Sequence, residues 1–425
     1  MSTVDPKREF AVEVVRRLQE AGYRALWAGG CVRDFLMGRV PKDYDVATDA
    51  RPNTVRELFG QRRTLAVGAS FGVIVVLGSK KSGNVEVATF RTEGSYADGR
   101  RPDHVVFSTP EEDALRRDFT INGMFYDPIA EKVFDYVDGE KDLAAGIVRA
   151  IGNPADRMSE DKLRMLRAVR FTATLEFALD PATADAIRAQ VREIRIVSAE
   201  RILQELQKML VDRHRRRAIE LARDLALLAE IIPELAPVFG IGSTDEIDTE
   251  WSLALQRLQL LNAPGFELAA SALLLSLPNA DTDARVVGKR LRMSNDELET
   301  IGWLLPHVAD VMASRSKSLA ELKRLLVHPS ARDLLELARV DTLARGGDLS
   351  PVMHCEELLR QTPADRLDPT PLVSGADLIA MELQPGKLFR QLLEAVRDAQ
   401  LNEQISTKDE AMALIKRLLE RHGDK

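Results

Sequence analysis

The spacing of apolar residues changes near residue 150, and that change restricts the chain to one broad architecture. Before it, strand-like runs alternate with helical segments; after it, apolar residues recur only at intervals of three and four. Ala25–Ala28, Tyr44–Ala47, Val73–Leu77 and Val85–Phe90 predict strands, the last by its alternation. Asp5-Pro6 predicts an N-cap followed by proline at the first helical position. Phe10, Val14 and Leu18 then line one face, and Gly22 stops the helix. A short helix is predicted over Val32–Met37, and Thr92–Pro110, rich in Gly, Pro, Asp and Arg, reads as a loop. Further on, Ala199–Leu210, Ala218–Ile232, Ser252–Leu261, Ala320–Leu326 and Lys387–Ala399 predict amphipathic helices. Breaks fall near Pro233, Pro264, Pro278, Pro306 and Gly346-Gly347. The fold class is α+β: a small α/β head, then helices only.

A chain of 425 residues is too long for one ordinary core and calls for two to four domains. With 45% hydrophobic and 29% charged residues, wholesale disorder is excluded. Lys and Arg number 59 against 66 Asp and Glu, a net charge of −7, which excludes a uniformly basic coat but leaves local basic patches open. Cys31 and Cys355 are the only cysteines, so neither a disulfide framework nor a cysteine zinc cage is expected. Met1–Phe10 holds no apolar signal core, and runs such as Val73–Leu77 are too short to cross a bilayer. These features predict a soluble, cytoplasmic protein with no membrane association.

The chemistry-bearing residues gather in the head. Asp43-Tyr44-Asp45 is read as part of a strand, where residues two apart face the same way and both carboxylates converge. Two hard oxygen ligands suit Mg²⁺, although such a pair is also common as two solvated acids on a strand edge. Gly29-Gly30-Cys31-Val32-Arg33-Asp34 joins a strand to a helix start. There, backbone amides and the helix dipole can hold phosphate oxygens, and Arg33 can add a charge-assisted contact. Glu86 on the Val85–Phe90 strand offers a third carboxylate, whose facing the alternation leaves open.

These segments, with Glu86–Arg91, Arg116-Arg117-Asp118-Phe119-Thr120-Ile121-Asn122 and Glu160–Arg167, occur in the order and spacing of a known family. The chain resembles the nucleotidyltransferases related to DNA polymerase beta, specifically the class II (bacterial-type) tRNA nucleotidyltransferase and poly(A) polymerase family. The likeness is strongest over residues 25–175, with weaker likeness in Ser198–Leu206 and Ser374–Ile379. It implies a polymerase-beta-like head with a mixed sheet, followed by an all-helical neck, body and tail. The corresponding ranges are 1–148 for the catalytic head, 149–215 for the neck, 216–345 for the body and 346–425 for a tRNA-binding tail. It implies Mg²⁺ on Asp43 and Asp45, with Glu86 as a third catalytic carboxylate. It places nucleotide contacts at Gly29, Gly30, Arg33, Arg116, Arg117, Asp118, Asn122, Asp161, Arg164 and Arg167. The segment from Arg91 to Phe107 matches the family's flexible loop. Its Tyr96–Pro102 portion favours an enzyme able to add A, because relatives that add only C are thought to lack an intact loop.

The resemblance further implies that Asp161 and Arg164 form a protein template for the base. A helix beginning near Ser159 would put them on one face, a spacing that otherwise makes an ordinary surface ion pair. Cytosine and adenine both pair an exocyclic amino donor with a ring-nitrogen acceptor; a carboxylate and a guanidinium match that pattern, whereas uracil and guanine reverse it. A second basic group, Arg213, Arg215, Arg216 and Arg217, reads either as a solvated face or as contacts to RNA phosphates. Aromatic residues are only 5%, which favours shape-based recognition of a folded RNA, such as a tRNA acceptor stem, over base stacking. The expected activity is template-independent addition of CMP and AMP, from CTP and ATP, to the tRNA 3′ end. Enzymes that add only the terminal A, and poly(A) polymerases, are the alternatives. Gly68–Val75 lacks the basic insert associated with polyadenylating relatives, and no strongly basic C-terminal tail is seen. The six histidines are scattered without a His-Asp dyad, and no P-loop is present, so neither a metal phosphohydrolase nor a Walker-type ATPase is expected. No protein partner is implied.

Overall fold

The computed structural model describes residues 5–68, 72–93, 105–239 and 250–423. The chain divides into two compact units, Met1–Pro233 and Glu234–Lys425.

The first unit opens with α1 (Pro6–Glu20), capped by Asp5, whose side chain accepts from the Lys7 amide. Phe10, Ala11, Val14, Val15 and Leu18 are buried, as the spacing predicts, and Gly22 takes a left-handed φ of 88° just past the end. The strands that follow are β1 (Ala25–Ala28), β2 (Asp45–Thr48), β3 (Thr64–Gly68), β4 (Val73–Leu77) and β5 (Asn84–Thr89). After them come β6 (Arg91–Glu93), β7 (Val105–Phe107), β8 (Phe125–Asp127) and β9 (Lys132–Phe134). Seven strands form one sheet in the order β3-β4-β5-β2-β1-β8-β9. Only β2 and β5 pair in parallel, with Asp45 beside Glu86; every other pairing is antiparallel. The sheet is therefore mixed, as expected.

Each sheet face is covered by its own apolar cluster. Trp27, Val46, Ile74, Val76, Val85 and Val87 pack with Phe10 and Val14 of α1 and with Val55 and Phe59 of α3 (Pro52–Phe59). Leu26, Ala28, Ala47, Phe90 and Phe125 face the other way and pack with Ala114. Between β1 and the next strand lies α2 (Gly30–Leu36), and α4 (Pro110–Leu115) begins with a capping box of Thr109 and Glu112.

Helices dominate from there: α5 (Gly139–Ala145), α6 (Pro154–Glu160), α7 (Arg164–Thr174), α8 (Pro181–Gln190), α9 (Ala199–Val211), α10 (Arg215–Asp224) and α11 (Leu227–Ile231). The helical segment after residue 150 is not free of strands. Ile147–Val148 (β10) pairs in parallel with Ala178–Leu179 (β11), a ladder too short to leave a period-two signal.

Other expectations need correction for similarly local reasons. The predicted loop over Thr92–Pro110 contains β6 and β7, paired antiparallel, and its end starts α4. The predicted Tyr96–Pro102 loop lies outside the described residues. The single helix expected over Ala218–Ile232 is two, because Ala226 takes a left-handed φ of 60°. The strand expected from Tyr44 begins one residue later, leaving Asp43 in a bend before it.

The second unit is helical throughout its described residues. Pro306 does not break the chain but sits inside the helix Asn295–Met312. A proline there removes one backbone hydrogen bond, at roughly 3 kcal/mol. The Ser294–Glu297 capping box and the burial of Ile301, Leu304, Leu305, Val308 and Val311 offset that loss. Arg257, fully buried, donates to Asp341 Oδ1 at 2.6 Å and Ser276 Oγ at 2.7 Å. Val373, Leu378, Leu392, Val396, Ala411 and Ile415 close a separate apolar cluster farther along. No described helix is long and apolar enough to cross a membrane.

Breaking the Arg257 network leaves a carboxylate and a hydroxyl without their cation. Arg257→Ala is expected to cost about 3–5 kcal/mol in urea denaturation. A loss below about 1 kcal/mol would show that the pair adds little beyond filling space.

Candidate active site

Residues 28–30 make the first wall. Gly29 has φ 73° and ψ −131°, outside the range of ordinary L residues, and its amide donates to the Met124 carbonyl at 3.2 Å. A Cβ on Gly29 would come within 2.8 Å of Arg117 Nη1, so the missing side chain also makes room for that guanidinium. Gly30 begins α2, and a Cβ there would meet only Arg33 Nη2 at 3.7 Å.

The carboxylates form the second wall. Although Asp43 precedes the strand, Tyr44 between the two aspartates is buried while both acids are exposed, so the alternation persists and they share a face. Asp45 and Glu86 are neighbours across the one parallel ladder, and both are exposed on the face that carries Ala47. The register thus decides the question left open for Glu86. The Asp45 carboxyl keeps an edge to water, yet the surrounding protein, then Glu86, push its pKa up to about 6, with Asp43 adding to the rise and Arg117 opposing it. Asp43 takes a 3.4 Å contact from Lys7 at the surface.

Arg116 and Arg117 are held by a residue that sequence reasoning missed. Asp113, on α4, is buried and receives Arg116 Nε at 2.8 Å and Arg117 Nη2 at 3.0 Å. It also receives the Arg91 amide at 3.3 Å. Burial raises the Asp113 pKa, but the two guanidiniums win and hold it below the usual carboxylate range. Asp113 stands three and four residues before the arginines, a helical ion-pair spacing that was there to be read. Arg117 also donates to the Asn122 carbonyl at 3.3 Å and lies over the Phe125 ring.

Asp118, Asn122, Arg33 and Arg167 form one buried chain of bonds. Asp118 accepts from the Phe119 amide at 2.8 Å, Asn122 Nδ2 at 3.1 Å and Arg167 Nε at 2.7 Å. Asn122 Oδ1 in turn accepts from Arg33 Nη1 at 2.7 Å, and Asp34 takes the rest of that guanidinium. Burial pushes the Asp118 pKa up, but Arg167 and the donated hydrogen bonds outweigh it and hold the value at about 2. Arg33, Arg167 and Arg170 all lie near the face of Phe171, at 5.2, 5.4 and 4.1 Å.

The expected helix carrying both Asp161 and Arg164 is not formed. Asp161 is extended, with φ −141° and ψ 106°, in the break between α6 and α7, and Arg164 is the first residue of α7. The two are joined by a turn in which the Arg164 amide donates to the Asp161 carbonyl at 3.0 Å. Arg164 Nη1 meets Glu160 at 2.5 Å and the Arg157 carbonyl at 3.0 Å, while Nη2 meets the Arg116 carbonyl at 2.9 Å. Those bonds use three of its five N–H groups. Asp161 accepts from the Leu163 amide at 3.0 Å and from Arg201 Nη2 at 2.7 Å. Arg201, forty residues away, could not have been read from spacing.

The basic group at the start of α10 is not one exposed patch. Arg215 is buried and donates to the Leu210 carbonyl at 2.8 Å, closing the end of α9. Arg217 donates to the Phe177 carbonyl at 2.6 Å, and Arg216 pairs with Glu220 at 3.1 Å. Arg213, with 76% of its side chain exposed, is the one turned most fully to solvent.

Two expected outcomes follow from these bonds. Because the Asp118 pKa is depressed on folding, its ionisation stabilises the native state above about pH 4, and that contribution is lost as pH falls toward 2. Asp118→Asn is expected to lower stability by about 2 kcal/mol at pH 7, and the gap to the wild type should close in acid-titrated unfolding. A gap independent of pH would refute the assignment. Gly29→Ala, strained by φ and by the Arg117 contact, should lower nucleotide affinity and the unfolding midpoint together; an unchanged affinity counts against the turn as a phosphate cradle.

Comparison with known proteins agrees with this architecture. Residues 25–149 match the poly A polymerase head domain, and residues 176–239 match the probable RNA and SrmB-binding site of polymerase A. A CCA-adding enzyme from Bacillus subtilis is 33% identical over 406 residues, spanning 94% of this chain and 95% of that one. One from Enterococcus faecalis is 30% identical over 439 residues, spanning 100% and 99%. The crystal structure of Bacillus stearothermophilus CCA-adding enzyme in complex with CTP covers all of both chains, with a TM-score of 0.80 and 27% identity. With a relative above 30% identity along nearly its whole length, the chain belongs to the family of CCA-adding enzymes.

Proposed function

We propose that the protein is a template-independent tRNA nucleotidyltransferase, adding CMP and AMP from CTP and ATP to the tRNA 3′ end with release of pyrophosphate. One observation carries the reading: Asp45 and Glu86 stand side by side on the face toward which Arg117, held by Asp113, brings its charge. Acids gathered beside a fixed cation suit a reaction in which a hydroxyl attacks the α-phosphorus while the bond to pyrophosphate breaks. The likeness to the Bacillus subtilis and Enterococcus faecalis enzymes supports the same reading.

The donor set fits Mg²⁺. Asp43 and Asp45 are hard oxygen ligands, and the raised Asp45 pKa reports negative charge that the protein does not neutralise. Among the described residues no three metal-binding side chains converge, which matches an ion that fills its shell with water and substrate phosphates. Asp43 and Asp45 would hold it, and it would supply charge neutralisation at the attacking and leaving oxygens. The remaining work belongs to the chain. The Gly29-Gly30 turn and the amides opening α2 offer donors to phosphate oxygens, with Arg116 and Arg117 aligned beside them. Arg33, Asp118, Asn122 and Arg167 act as the buried frame of the nucleotide site. Asp161 and Arg164 read the base, the carboxylate accepting from the amino group and the two unspent Arg164 N–H groups facing the ring nitrogen.

The division of labour follows the chain: residues 1–148 for chemistry, 149–215 for base reading, and 216–345 and 346–425 for holding tRNA. Arg213, Arg216 and Arg217 are the candidates for phosphate contacts at the near end of that surface. The place of action is the cytoplasm, where tRNA is matured.

Transcripts of tRNA ending at the discriminator base, at C and at CC, offered CTP, ATP or both, test the proposal. Growth of all three to CCA is the expected result, abolished by Asp43→Ala and by Asp45→Ala. Extension of the CC end alone would identify an enzyme adding only A, and long A tails on unrelated RNA would identify a poly(A) polymerase; either overturns it.

A further inference from the structure

We infer that Arg201 is a specificity-determining positioning residue, which holds the Asp161 carboxylate as a fixed acceptor for the amino group of cytosine or adenine. The inference rests on the base-reading role proposed for Asp161.

An aspartate chooses between bases only if its carboxylate cannot turn away from a mismatched carbonyl. Asp161 lies in an irregular break between two helices, where the backbone alone fixes little. Its orientation comes from one donor at each oxygen: the Leu163 amide on Oδ1 and Arg201 Nη2 on Oδ2. The first bond is local and moves with the turn. The second reaches in from α9, and it is the one that ties the carboxylate to a separate element.

That element is itself anchored. Glu205, one turn beyond Arg201, is buried and accepts from Arg170 of α7 at 2.5 Å and from Lys208 at 3.0 Å. Ile202, Leu203 and Leu206 are buried on the same helix. Helix α9 is thus clamped to α7, the helix whose first residue is Arg164, so Arg201 and Arg164 reach the base-reading turn from one rigid pair. Arg167, the other arginine near this turn, spends its guanidinium on Asp118. After these bonds Asp161 keeps lone pairs for an incoming amino group and has no hydrogen to offer the carbonyl of uracil or guanine. Without Arg201 the carboxylate could swing aside and admit that carbonyl through water, which weakens rejection more than acceptance.

The test is single-nucleotide addition by the full chain. CTP is compared with UTP on tRNA ending at the discriminator base, and ATP with GTP on tRNA ending in CC. Arg201→Met is expected to lower both kcat/KM ratios about tenfold, whereas a purely structural loss would reduce all four nucleotides alike and leave the ratios unchanged. Unchanged ratios overturn the inference. Where Arg201→Met does not fold, Arg201→Gln is read in the same way. Asp161→Ala separates the two layers. If it leaves selection intact, the base-reading role itself fails; if it relaxes selection while the Arg201 variants do not, only the role of Arg201 fails. In the Asp161→Ala background, Arg201→Met should change the ratios no further, and an additional fall would place Arg201 at some other step.

Discussion

The carboxylate of Asp118 is buried where the sheet-bearing segment gives way to helices, and much of the site depends on keeping it ionised there. Taking an isolated carboxylate out of water costs several kcal/mol, so it persists only if every lone pair is used. Arg167, Asn122 and the Phe119 amide supply those partners, and each is thereby fixed. Asn122 then holds Arg33, and its carbonyl holds Arg117, whose other bonds go to Asp113. A single buried negative charge therefore orders arginines from three elements before any nucleotide arrives. Such preorganisation lets a phosphoryl-transfer site stabilise charge without rearranging during the reaction.

Two kinds of carboxylate can be told apart by their surroundings. Asp113 and Asp118 are buried, fully partnered and strongly acidic. Asp45 sits beside Glu86 with its charge uncompensated and its acidity weakened. The first kind builds the frame; the second marks where a cation or a substrate completes the structure. The same distinction sorts the arginines. Arg215 is spent on closing a helix end, while Arg213 is left to solvent.

Much of this was legible in the primary structure where one local rule dominates. The Asp5 cap, the burial of Phe10, Val14 and Leu18, and the strands at 25–28 and 73–77 all follow from periodicity and capping. Strands of two or three residues, such as those at 91–93, 147–148 and 178–179, escaped because so few residues cannot display a period. Pro306 was misread because tertiary packing on both sides of it outweighs one lost hydrogen bond. Asp161 and Arg164 were placed on one helix because the spacing of three fits a helix as well as a turn, and only the extended backbone at Asp161 separates the two.

By itself the sequence determined the residue types of the site and the elements bearing most of them, because glycines, paired acids and helix caps act over a few residues. Tertiary structure alone decided which side chains meet. The parallel register of β2 and β5 sets Glu86 next to Asp45. The packing of α9 on α7 delivers Arg201 to Asp161, and the buried chain through Asp118 joins residues from 33 to 167. These pairings span tens of residues, and no local pattern encodes them. They exist because burying each charge requires a partner, which only the completed fold brings within reach.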